Sequence, residues 1–146
     1  MTDAETAALR PRPVPDALTR PFWDGVARHE LRLQRCRACG YYMHPPYPEC
    51  TRCRASDLTV EAVGGHGVIF ERAIVESPVV VGFTGDVPYA CLLVELDEQP
   101  GLLIAGNLVD FPPDEAVVGR RVEVVFRDES DGFTLPMFRL VQEEPY

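Results

Sequence analysis

Four of the five cysteines fall as Cys36-x-x-Cys39 and Cys50-x-x-Cys53, with ten residues between the pairs. Two residues between thiols let one tight turn, a knuckle, aim both sulfurs at a single point. Two knuckles facing each other make a tetrahedral four-sulfur site with metal–sulfur bonds of about 2.3 Å. Gly40 follows the first pair, where such a turn commonly needs a positive φ. Tetrahedral thiolate sites take zinc or iron, and Zn2+ is expected at Cys36, Cys39, Cys50 and Cys53. With every position filled by sulfur, the metal is expected to be structural. Two disulfides would require an oxidising compartment. A redox-active pair would require a strand-to-helix setting that these residues lack. The fifth cysteine, Cys91, lies in the apolar run Tyr89–Val94 and reads as a small buried hydrophobe.

The elements that must position these sulfurs sit in a chain of 146 residues, enough for one ordinary domain or two small ones sharing a core. Residues 1–15 contain Pro11, Pro13 and Pro15 among small and charged residues and read as a mobile leader. Residues 16–35 read as a helix and a lead-in strand. Thr19 stands near the helix cap, Pro21 in the first turn, and Phe22, Trp23, Val26 and Ala27 on one face. Glu30 to Arg35 alternates into the first knuckle as a short strand. Residues 36–63 form the metal ribbon, and 64–146 read as β throughout. Its strand candidates are Val68 to Val75, Tyr89 to Leu96, Leu102 to Val109, Arg121 to Phe126 and Thr134 to Val141. Turn residues separate them, and only a helical turn near Glu115 is expected. Five antiparallel strands in about 80 residues match a small Greek-key barrel of the OB type. The fold class is therefore mainly β, an N-terminal helical segment and ribbon followed by a five-stranded barrel.

Charge removes several functional classes. All 14 basic residues are arginine, so lysine Schiff-base chemistry and a phosphate-loop lysine are absent. The net charge is −9, and it is uneven: residues 56–146 hold five arginines against 17 acids. Such a surface repels phosphate backbones, which disfavours a nucleic-acid-binding ribbon and barrel. No apolar run is long enough for a membrane helix. The first residues lack a charged segment followed by an apolar stretch, so a cytoplasmic protein is expected.

Between the knuckles runs Tyr41-Tyr42-Met43-His44-Pro45-Pro46-Tyr47-Pro48, whose prolines imply a stiff, extended loop. His44 reads as a surface histidine, since four thiolates already fill the metal site. Tyr42 and His44, with Arg52 and Arg54, are candidate ligand or partner contacts, a small positive face that could take a nucleotide-like ligand through phosphate pairing and ring stacking. Alternatively, these residues only cover a minimal domain. His29, His44 and His66 are isolated in sequence, and Asp97, Glu98, Asp110 and Asp114 read as turn and surface carboxylates. No catalytic constellation emerges, and a binding or scaffolding module is the expectation.

A resemblance adds to this. Phe22-Trp23-Asp24-Gly25, Leu33 through Gly40, Pro45-Pro46 and Cys50-x-x-Cys53 stand in the order of one known family. Gly65-x-Gly67, Pro88-Tyr89, Leu93 through Asp97, Asn107-Leu108-Val109, Asp131-Gly132 and Leu135-Pro136-x-Phe138 continue it. Over residues 16–140 the chain resembles the zinc-ribbon/OB-fold acyl-CoA-associated proteins catalogued as domain of unknown function 35. The resemblance implies a rubredoxin-like zinc ribbon, an OB barrel, and metal ligands at Cys36, Cys39, Cys50 and Cys53. Members of that family work beside thiolase-fold enzymes rather than catalysing alone. Some bridge acetoacetyl-CoA thiolase and hydroxymethylglutaryl-CoA synthase in archaea. Others pair with lipid-transfer-protein-like retro-aldolases of bacterial steroid side-chain degradation, helping to form the acyl-CoA site. An arginine-only, Ala- and Val-rich composition favours the bacterial setting. Phe83, in the apolar run 79–83, is either part of a partner contact or folded over the barrel mouth.

Overall fold

The computed structural model describes Thr2 and residues 10–77, 80–83, 85–129 and 132–142. Helix α1 (Arg20–Ala27) leads into β1 (Leu31–Cys36), β2 (Tyr42–Met43) and β3 (Leu58–Val63). These three strands form one antiparallel sheet in the order β2-β1-β3. A turn through Gly64 and Gly65 then enters β4 (His66–Val75), β5 (Tyr89–Leu96), β6 (Leu103–Asn107), β7 (Arg121–Asp128) and β8 (Thr134–Leu140), with a 3-10 turn at Pro113–Glu115. The second sheet runs β6-β5-β4-β7-β8. A parallel bridge between Leu108 and Phe138 brings its two edges together. The outcome is a nearly closed five-stranded antiparallel barrel, as the strand pattern implies.

The β1 strand does more than lead in. It pairs with β3 over all six of its residues, from Leu31 opposite Val63 to Cys36 opposite Leu58. It is the central strand of the ribbon. Leu31 and Leu33 point the other way, into one apolar cluster with Ile69, Val94, Leu96, Val122 and Phe138 of the barrel. Ribbon and barrel therefore share a core. The Gln99 side chain secures the junction, donating to the Tyr42 carbonyl at 3.0 Å and accepting from its N–H at 2.9 Å.

Alternation sets the barrel interior. Ala90, Leu92, Val94 and Leu96 of β5 turn inward, as do Thr134, Pro136, Phe138 and Leu140 of β8. The third strand ends sooner than its apolar pattern suggests. Leu108 donates to the Ala90 carbonyl at 3.1 Å while Val109 donates to that of Phe138 at 2.8 Å, so the chain leaves β5 to meet β8. At the helix start, Thr19 occupies the cap position but its hydroxyl makes no cap bond. The local acceptor is the Asp16 carboxylate, which takes the N–H groups of Thr19 at 2.8 Å and Leu18 at 3.0 Å. Hydrogen bonds from Thr19 hold the Asp16 carboxyl below the usual range. Val26 is buried and Phe22 packs on the core, but Ala27 faces solvent because the helix ends there.

Phe138 serves the closure twice, through its backbone bridge and through a fully buried ring. A Cβ at Gly106 would stand 2.8 Å from that ring, so β6 approaches it as closely as glycine permits. Phe138→Ala is expected to lower stability by about 3–5 kcal/mol in a urea titration.

Candidate functional site

The two knuckles are copies of one local structure. Gly40 donates to the Cys36 carbonyl at 2.9 Å, and Cys36 donates to that of Tyr41 at 2.9 Å. Arg54 donates to the Cys50 carbonyl at 2.9 Å, and Cys50 donates to that of Ala55 at 2.8 Å. Each turn needs a left-handed residue four places after its first cysteine. Gly40 takes it at φ 80° in the first knuckle and Arg54 at φ 68° in the second. The four Sγ atoms lie within 4.8 Å of one another, with 3.6 Å between Cys36 and Cys53 and between Cys39 and Cys50. A tetrahedron of bonds near 2.3 Å has edges of about 3.8 Å, so these sulfurs fit zinc. Cys36 and Cys50 are buried and Cys39 and Cys53 exposed, which sets the metal at the tip of the ribbon with its inner side shielded.

Thiolate character is prepared by the turn. Backbone N–H groups of Cys53 and Arg52 point at Cys50 Sγ from 3.4 Å and hold that thiol down at about 6. Cys53 behaves oppositely: the Ala55 N–H pulls it down, but burial and hydrogen bonds shared with the other sulfurs push it up to about 12. Zinc needs all four as thiolates, so its affinity falls with pH.

A second feature lies away from the metal. A groove of about 750 Å³ runs between α1 and the β6–β8 side of the barrel, with residues 10–13 along one rim. Phe22 and Trp23 form one wall, their rings edge to face at 5.0 Å. Phe83 and Tyr89 form another, 5.8 Å apart. Arg10 fastens the rim. Its Nε donates to the Gly82 carbonyl at 2.7 Å, its guanidinium lies 4.5 Å from the Phe83 ring centre, and it pairs with Asp86.

The residues singled out in the sequence divide between these places. Phe83 lines the groove. His44 also lines it and is half-buried, its ring 5.0 Å from that of Phe22. Burial pushes its pKa down to about 4. Tyr42 lies apart from both, under the Arg35 guanidinium at 4.5 Å and with its hydroxyl 3.4 Å from Glu61, and burial raises its pKa. Arg52 and Arg54 sit exposed on the second knuckle, Arg52 at 5.6 Å from the Tyr41 ring centre and Arg54 paired with Glu49 at 3.1 Å. The structure thus brings His44 and Phe83 to one groove and leaves Tyr42, Arg52 and Arg54 outside it. Cys91 is half-buried on β5 and burial raises its thiol pKa.

The groove has no signature in the sequence because its walls come from six separated stretches. No local spacing marks Arg10, Trp23, Asn107 and Arg127 as neighbours. The Trp23 signal was legible only as a helix anchor.

Comparison with known proteins follows the same division. Residues 23–59 match the family model described as the ChsH2 rubredoxin-like zinc ribbon domain, and residues 60–127 that of the ChsH2 C-terminal OB-fold domain. A DUF35 domain-containing scaffold protein of Methanocaldococcus jannaschii is 33% identical over 67% of this chain and 71% of its own length. The chain belongs to the ChsH2/DUF35 family. A 3-oxo-4,17-pregnadiene-20-carboxyl-CoA hydratase alpha subunit of Mycobacterium tuberculosis is 35% identical over 80% of this chain and 39% of its own. A probable enoyl-CoA hydratase alpha subunit of Thermomonospora curvata is 32% identical over 98% of this chain and 44% of its own, so this chain spans less than half of either subunit. The solved Ltp2-ChsH2(DUF35) aldolase matches with a TM-score of 0.79 and 29% identity, over 88% of this chain and 98% of that one. The ribbon of this family is a zinc ribbon, and the four cysteines here form its structural Zn2+ site.

Two expectations follow for this site. Cys50→Ser is expected to lose the single equivalent of zinc in elemental analysis, with amide protection falling in β1–β3 ahead of β4–β8 in hydrogen exchange. The His44 pKa is lower folded than unfolded, so it contributes stability that is present above about 6.5 and lost as pH falls toward about 4. The stability of wild type relative to His44→Phe, read by urea titration at each pH, is expected to fall across that window by up to about 3 kcal/mol as pH falls.

Proposed function

We propose that this chain is a non-catalytic accessory subunit of an acyl-CoA-processing complex. Its partner, on this reading, is a thiolase-like enzyme of the lipid-transfer-protein type acting as a retro-aldolase in steroid side-chain degradation. The observation that carries it is the likeness to the Ltp2-ChsH2(DUF35) aldolase, which covers nearly all of that chain and includes both ribbon and barrel. The side chains support an accessory role. Among the described residues, His29 is held by Asp128 at 2.9 Å, His66 stands exposed 4.0 Å from Glu123, and His44 lies alone in the groove. The zinc has four sulfur ligands and serves the ribbon's fold. The chain would then stabilise its partner and help form the acyl-CoA site. No helix among the described residues is long and apolar enough to cross a membrane.

The archaeal scaffold relatives favour a second reading, a bridge between a thiolase and a hydroxymethylglutaryl-CoA synthase-type enzyme. Affinity capture of the tagged chain from its own host separates the two. A single thiolase-like enzyme in near-equal amount is expected. Capture of a synthase together with the thiolase would support the bridge. Recovery of the chain alone, from cells expressing such enzymes, would overturn both.

A further inference from the structure

The chain's approach to α1 forms part of the groove. Four consecutive residues, Arg10 to Pro13, line it, and the chain then runs on into the helix whose Phe22 and Trp23 make one wall. We propose that residues 10–13 are a hinged strap. Latched by Arg10, they close one side of the groove; released, they swing about the turn at Asp16 and open it. This goes beyond the accessory reading and holds whichever enzyme the chain serves.

The latch centres on Arg10. It reaches three groups between β4 and β5: its Nε donates to the Gly82 carbonyl at 2.7 Å, its guanidinium pairs with Asp86, and the same plane covers the Phe83 ring at 4.5 Å from its centre. A planar guanidinium fork serves all three at once, which a lysine ammonium does not. Gly82 completes the seat. It is buried, its φ is 92°, and a Cβ there would stand 2.5 Å from Arg10 Cγ and 2.8 Å from Arg10 Cα. Only glycine fits beneath the strap at that separation.

The backbone of the strap suits a part that moves as a unit. Pro11 and Pro13 have no N–H with which to join a strand, and their fixed φ keeps the segment stiff. Val14 is 90% exposed and anchors nothing. The next fixed point is Asp16, whose carboxylate accepts from the N–H groups of Leu18 and Thr19 and belongs to the helix start. The strap therefore has a pivot at one end and an electrostatic catch at the other. Arg10 and Asp86 both remain partly open to solvent, so water competes for the catch and release is a small step.

Trp23 is the only tryptophan and lines the groove, so quenching of its fluorescence by acrylamide reads groove access. In the zinc-loaded full chain, Arg10→Ala is expected to raise the quenching constant about twofold and to speed amide exchange at Phe83 and Asp86 about tenfold. Protection in β4 and β5 and the melting temperature are expected to stay unchanged. Asp86→Ala is expected to act in the same direction, and the double variant to do no more than Arg10→Ala alone, since both open one catch. Arg10→Lys keeps the charge without the fork and is expected to fall between wild type and Arg10→Ala. Unchanged quenching in Arg10→Ala would overturn the proposal, because the strap would then not control access. Additive effects of the two single variants would overturn it too, as would a lowered melting temperature with β4 and β5 deprotected, which would make Arg10 a structural tie and not a catch.

Discussion

The β1 strand is bound at both ends by different physics. At its start Leu31 and Leu33 are buried with the barrel's apolar residues, and at its end Cys36 joins the sulfur cluster. Hydrophobic burial holds the first and metal coordination the second. The ribbon tip has little else: its buried cluster is Cys36, Met43 and Cys50. Burying one methionine contributes about 1.5–3 kcal/mol, far less than the ordering of some twenty residues costs. Zinc in small ribbons contributes about 10–16 kcal/mol, so the metal decides whether the ribbon tip is ordered. Once it is, Tyr42 is locked to Gln99, and His44, two residues on, is delivered to the groove.

Zinc and groove are therefore linked in structure although they are separate in chemistry. The helix contributes Phe22 and Trp23 to the groove because Gly25 and Val26 pack it down against the start of β1, where a Cβ on Gly25 would meet the Arg32 side chain at 3.0 Å. His29, just past the helix, pairs with Asp128 and stacks on Phe126 at 5.3 Å, tying the same helix to β7. The barrel's own closure at Leu108 and Phe138 supplies the opposite side. A groove made this way is set by the packing of helix, ribbon and barrel together.

Much of this was legible in the residues. Cysteine spacing carries the metal site because two residues between thiols permit few geometries, and the barrel strands announce themselves by β-branched alternation. The ribbon strands were harder to read. Leu58–Val63 is nowhere fully buried, so its period is faint, and the two-residue β2 is too short to have one. Gly40 marks the first knuckle, but Arg54 fills the equivalent place in the second, where composition alone offers no hint. Asp16 rather than Thr19 serves the helix start, since the turn before the helix determines which oxygen reaches the free N–H groups. The half-burial of His44 depends on Phe22, 22 positions earlier in the chain, so no local pattern shows it. The groove as a whole belongs to tertiary structure.

On the proposed function, this chain positions and completes an enzyme without performing the reaction itself. Reconstitution tests that most directly: acyl-CoA cleavage is measured with the partner enzyme alone, with this chain alone, and with both together. The account predicts no turnover from this chain alone, weak or absent turnover from the partner alone, and full activity only from the mixture. Turnover by this chain alone, or a partner as active without it as with it, would contradict the account.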